Sequence, residues 1–239
     1  MNNEKKNGYW YADDNIVENI DIYQYMRLDY LLNLLETNKY YVKKRKTFID
    51  ANESEYNMRL AFDLIPSIVG SNSKPNPHPK RLIPYTEILE CPTSCWTKTK
   101  EESFLMWKVY ANEIGVRIKS STGKILNSIN LDTSINSNNR VICGSMKYVE
   151  HPRSFYETEQ LFNKSKEYFD ENEFRFYFDF KEIIKKDKDF VEIPIHTKSI
   201  IDEIIISPFI CKIASDKIER IISESYGINN VKQSKIKLK

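Results

Sequence analysis

Residues 171–180 (ENEFRFYFDF) alternate in character more cleanly than any other stretch of this chain. Side chains on a β-strand point to opposite faces with a period of two. Phe174, Phe176, Phe178 and Phe180 therefore share one face, and Glu171, Glu173, Arg175, Tyr177 and Asp179 share the other. A strand of this kind needs a sheet with one face against a core and the other free for polar groups. That requirement excludes an all-helical chain and sets the frame for every other segment.

Around this strand, helical and extended patterns interleave. Residues 21–25 (DIYQY) read as a first strand, and Leu28, Leu31, Leu32 and Leu35 recur at helical spacing up to a stop near Asn38. Residues 39–43 (KYYVK) read as a second strand. Asp50-Ala-Asn-Glu53 is a capping-box pattern for a helix running through Leu60 and Phe62 toward Pro66. Residues 87–97 predict a strand broken at Pro92, residues 100–112 a helix capped at Thr99, and residues 116–119 a further strand. Ser154 with Glu157 opens another helix after 141–149, and 190–195 and 203–206 read as two more strands. Ser207 with Pro208 predicts the start of a last helix, closing at Gly227. Residues 70–80 and 127–140 are turn-rich loops. The elements lack a steady βαβ rhythm, so the fold class expected is α+β, with a mixed, mostly antiparallel sheet and packed helices.

At 239 residues the chain is long enough for a sizeable core, and no composition shift divides it. The reading is one domain, 1–239, with a polar N-terminal arm over 1–20 and a basic, frayed tail over 231–239. A formal net charge of +2 carries no global signal for nucleic acid. Only 6 glycines argue against a glycine-rich phosphate cradle. Cys91, Cys95, Cys143 and Cys211, with His78, His151 and His196, match neither zinc-ligand spacing nor a disulfide framework, so no metal site is predicted. The N-terminal residues carry no apolar run, and the expectation is a cytoplasmic protein with no membrane association.

Three segments contain the candidate chemistry. Glu171 and Glu173, read on one strand face, suit acid–base work or stabilisation of an oxocarbenium-like centre, while Arg175 on that face would neutralise one of them. Thr97 falls where a strand hands over to a helix. Trp107 and Tyr110 lie one helical turn apart and offer a stacking surface, and Arg27 offers a bidentate clamp for phosphate. Each has a plainer structural reading: a solvated strand face, core packing, an exposed arginine.

Taken in order, Tyr23-x-Tyr25, Lys39-Tyr-Tyr-Val, Phe48-Ile-Asp50 with Glu53, Cys95-Trp-Thr97, Leu105-Met-Trp107-x-x-Tyr110-Ala111, Gly115-Val-x-Ile118, Phe162-x-Lys164 and Glu171-x-Glu173-x-Arg175 resemble a bacterial domain-of-unknown-function family. The chain departs from that pattern at Thr97, where the family favours serine, at Ile49 and Ala51, and at Met26. The resemblance implies a bacterial phage-defence or toxin setting. The order of motifs is also similar to the Arg, Ser-Thr-Ser, Glu-x-Glu arrangement of ADP-ribosyltransferases. On that mapping Glu173, Glu171 and Thr97 are catalytic, and Tyr25, Arg27, Trp107, Tyr110 and Arg175 bind NAD as substrate. The implied function is an NAD-dependent ADP-ribosyltransferase or NAD-cleaving effector acting on a protein or nucleic-acid target. The alternative is a non-catalytic module that binds nucleic acid or a phage or host protein.

Overall fold

The computed structural model describes residues 9–11, 19–48, 50, 89–129, 140–151, 161–179 and 188–238. In chain order the described elements are β1 (Tyr9–Tyr11), β2 (Asp21–Arg27), α1 (Leu28–Thr37), β3 (Lys39–Lys43), β4 (Thr93–Thr97), α2 (Phe104–Val109), β5 (Gly115–Ser121) and α3 (Thr122–Ser128). There follow β6 (Arg140–Ser145), β7 (Lys147–Val149), β8 (Asn163–Ser165), β9 (Glu173–Asp179), β10 (Phe190–Pro194), α4 (Thr197–Ile200), β11 (Glu203–Ile206), α5 (Lys212–Tyr226) and β12 (Val231–Gln233). Eight of these strands form one sheet in the order β1-β6-β9-β4-β2-β5-β11-β12, and β3 with β10 and β7 with β8 form two small ladders. Only β1–β6 and β11–β12 are parallel within the large sheet. The architecture is α+β with a mixed, mostly antiparallel sheet, as the sequence pattern requires.

The phenylalanine face of β9 does what its period predicts. Phe174, Phe176 and Phe178 are fully buried and share the main core with Ile22 of β2, Ile118 of β5 and Leu31 of α1. A small polar network is set into this apolar face. Gln24 lies between Ile22 and Met26, accepts from the Tyr40 hydroxyl at 2.8 Å and donates to the Cys95 carbonyl at 3.1 Å. Ser94 joins the network through Tyr40 at 2.5 Å and the Trp96 indole N–H at 2.8 Å, so these buried polar groups are mutually satisfied.

The two predicted helix ends are present, and both are left-handed: Asn38 at φ 51° closes α1 and Gly227 at φ 69° closes α5. Other boundaries shift for definable reasons. The helix expected over 100–112 spans only 104–109, with Ser103, not Thr99, as N-cap accepting from the Met106 amide. Upstream, the Arg117 guanidinium occupies the carbonyls of Thr99 and Lys100, at 2.9 and 2.5 Å, and holds that segment extended. Ser207 and Pro208 form a turn preceding α5, whose N-cap is Cys211. The arm expected over 1–20 contributes the edge strand β1. The tail expected to fray instead begins with β12, where Lys232 pairs with Glu203 at 2.7 Å. Helix α3 falls partly in a segment read as loop; Ser121 caps it, accepting from the Lys124 amide. The helix expected beyond Asp50, the loop 70–80, most of the loop 127–140, the helix opened at Ser154, and Phe180 lie outside the described residues.

Candidate functional site

The second face of the sheet carries the polar residues. Strand register aligns Glu173 of β9, Thr97 of β4, Tyr23 of β2, Lys119 of β5 and Glu203 of β11 in one row. Arg175 stands opposite Cys95, one step along β9 and β4 on the same face. Glu171 does not continue this strand, contrary to the strict alternation of its sequence. It ends a 3-10 turn (Lys166–Glu171), and Asn172, at φ 42° and ψ 53°, interrupts the extended backbone. A left-handed residue between the two acids breaks the period that would have put both on one strand face.

The break nonetheless brings the two carboxylates together by another route. Lys164 of β8 reaches Glu171 at 2.5 Å and Glu173 at 3.1 Å. Arg175 clamps Glu173 with two parallel hydrogen bonds, Nε to Oε1 and Nη2 to Oε2, each 2.8 Å. Two cations and two anions thus balance in a cluster where Glu173, Arg175 and Lys164 are all buried. The Glu171 side chain lies at its rim, 14 % exposed, and accepts from the Tyr110 hydroxyl at 2.5 Å. The Tyr148 hydroxyl accepts from the Glu173 amide at 2.7 Å, and the Tyr168 ring lies 4.6 Å from the Lys164 ammonium.

Removing charges from water is costly, and only close, well-directed pairing offsets that cost. The bidentate arginine fork provides such pairing. Burial by itself would raise the Glu173 carboxyl, but Arg175 and Lys164 outweigh it and hold the group at about 2. The simple expectation for paired acids, that proximity raises the pKa of one, is therefore overturned for Glu173 by the intervening cations. Glu173 is an anion throughout the physiological range and acts as an acceptor, not a proton donor. The Cys95 thiol donates to Glu173, and burial followed by the Glu173 charge pushes that thiol well up, which makes it a poor nucleophile. Burial and the neighbouring Glu171 also push the Tyr110 phenol up. Tyr110 therefore remains a hydroxyl donor.

The other sequence candidates divide. Thr97 is buried opposite Glu173, and its hydroxyl accepts from the Thr99 amide at 3.1 Å, as a local turn contact. Tyr25 and Trp107 meet edge to face at 4.9 Å, but Trp107 is fully buried and Tyr25 nearly so. They are packed core, the plainer of the two readings of Trp107. The Tyr25 hydroxyl accepts from the Ser103 amide and so helps seat α2. Arg27 ends β2, exposed, and forks onto Asp29 at 2.9 and 2.7 Å; its guanidinium is already committed to that carboxylate. The structure adds two residues that sequence reasoning did not assign to the site. Lys164 stands in the sequence only as part of Phe162-x-Lys164, and Tyr148 carries no local signal. Both reach the acids through the β7–β8 ladder, a pairing that no local pattern announces. Among the described residues no group of three or more His, Cys, Asp or Glu is arranged to hold a metal ion. No protein-family model matches the chain, and no curated protein matches it in sequence.

Proposed function

We propose that the chain is an NAD-using bacterial effector, a transferase of ADP-ribose or an NAD-cleaving enzyme. Glu171 would be the carboxylate that meets the ribose, and Glu173, Lys164 and Arg175 the frame that holds it. One observation supports this reading: a rim carboxylate with a phenolic donor sits on a lysine that is itself anchored to a buried glutamate ionised across the physiological range. Within this charge-balanced cluster it is the position of the Glu171 carboxylate at the rim, not a net negative charge, that would favour a sugar that becomes cationic as the nicotinamide nitrogen takes the electron pair of the glycosidic bond. Water or a target nucleophile would then complete the reaction. The ordered resemblance to the Glu-x-Glu arrangement of ADP-ribosyltransferases supports the same reading. Arg27 has no part in it.

The test is NAD consumption by purified wild type, Glu171→Gln and Tyr110→Phe, with and without extract of phage-infected cells. Turnover that falls at least about 100-fold in Glu171→Gln, with an unchanged melting curve, supports the assignment. No turnover by wild type in any extract overturns it.

A second reading rests on a different feature. Helix α2 and the turn after it expose Phe104, Leu105, Val109 and Ile114, as a protein-binding module would. Binding of a phage or host protein that survives Glu171→Gln and is lost in Leu105→Asp would favour this reading over the enzyme.

A further inference from the structure

We infer that residues 234–236, which follow β12, are a strap that positions Tyr110 and through it controls how Glu171 is held. The starting point is the length of α2. Six residues make a helix too short to persist by its own hydrogen bonds, so attachments at its flanks must hold it. Those attachments lead in two directions.

On one side stands Glu102. Its carboxylate accepts from the Trp107 indole N–H at 3.2 Å, from the Ser234 hydroxyl, and from the Lys235 amide at 2.9 Å. The Ser234 hydroxyl also accepts from the Ile236 amide at 3.1 Å, which turns Ile236 onto the cluster formed by Tyr25, Trp107 and Ala111. Parallel pairing of β12 with β11 brings the strap there, reinforced by the Gln233 side-chain Nε2, which donates to the Ile210 carbonyl at 3.0 Å. On the other side stands Tyr110, which caps α2 and donates to Glu171. Glu171 shares Lys164 with Glu173. Contacts thus run from the strap through Glu102 to Trp107, and the backbone of α2, with the Tyr110 amide on the Met106 carbonyl at 3.0 Å, joins them to Tyr110 and the rim carboxylate. With the strap seated, Glu171 is engaged by both a phenol and an ammonium. With the strap released, α2 keeps its Ser103 cap and the Tyr25 contact but loses the hold on Glu102, and the inferred result is a looser Tyr110 and a weaker phenolic contact to Glu171. Glu102 and Tyr110 are positioning residues in this scheme, which does not depend on NAD being the substrate.

The experiment is amide hydrogen exchange on the full chain for wild type, Ser234→Ala, Tyr110→Phe and the double variant, with residues 212–226 as the internal reference for intact folding. Ser234→Ala should speed exchange about tenfold or more over both 104–110 and 166–172, leaving the reference unchanged. Coupling is reciprocal, so Tyr110→Phe should loosen the amides of 235 and 236. The double variant should show less than the product of the two single effects. Faster exchange in Ser234→Ala confined to 102–107 and 234–236, or strictly multiplicative effects in the double variant, would overturn the inference. Ser234→Ala removes a single hydroxyl, so the fold persists and either result is readable. Should the reference nevertheless loosen, Ile236→Val replaces it as the strap variant under the same criteria.

Discussion

Replacing Glu173 with glutamine is expected to destabilise the protein in a manner that depends steeply on pH. The carboxyl is held at about 2 in the folded chain against an ordinary 4.5, because Arg175 and Lys164 overcome the opposing effect of burial. At ~1.4 kcal/mol per pKa unit, that shift corresponds to about 3 kcal/mol favouring the folded, ionised form. The figure agrees with the ~3–5 kcal/mol lost when one partner of a buried ion pair is removed. A folded-state pKa below the unfolded one gives stability that is complete above the unfolded value and is lost as pH falls through the folded value. For Glu173 the window therefore runs from about pH 5 down to about pH 2. Glutamine cannot ionise and lacks that slope. Urea unfolding followed by fluorescence of the buried Trp96 and Trp107 reads the difference directly. The gap between wild type and Glu173→Gln should be about 3 kcal/mol near pH 7 and should close to under ~1 kcal/mol near pH 2.5. A gap that stays constant from about pH 7 to about pH 3 would refute the electrostatic argument and leave packing as the reason for the loss.

Three shorter tests probe the frame around the site. Asn172→Ala should cost about 1–2 kcal/mol because alanine resists the left-handed conformation, whereas Asn172→Gly should fall within about 0.5 kcal/mol of wild type; equal losses in urea midpoint would contradict the backbone explanation. Gly115→Ala should destabilise by about 1–3 kcal/mol, since a Cβ there would stand 2.4 Å from the Met26 carbonyl oxygen and 2.7 Å from that of Ala111; an unchanged melting temperature would show that β5 can move away. Thiol labelling of the folded protein at mildly alkaline pH should modify exposed Cys211 long before Cys95, whose thiol is pushed up and donates to Glu173. Peptide mass mapping that found Cys95 labelled first would contradict that environment.

Local physics made much of this protein readable from its residue order. Strict alternation in β9 determined which phenylalanines enter the core, because a strand's side-chain period leaves no other arrangement beside a one-sided apolar layer. Asn38 and Gly227 marked helix ends because few other residues tolerate a left-handed backbone. The acids and the arginine of the Glu-x-Glu-x-Arg segment were recognisable as a charged group on one strand face, with Arg175 expected to neutralise one acid, since charges on a half-buried strand demand partners. What those partners are was decided only by tertiary structure. Arg175, two residues along the strand, contributes most to holding the Glu173 carboxyl down, and Lys164, which adds to it, arrives through a separate ladder that no local pattern announces. Arg117 shortens α2 by taking carbonyls 17 and 18 residues away. Trp107 becomes core because Tyr25 and segments far along the chain, carrying Ile205, Phe209 and Ile236, pack into its cluster. Period and capping follow from a few adjacent residues, whereas burial and charge pairing depend on which distant segments the folded sheet brings together.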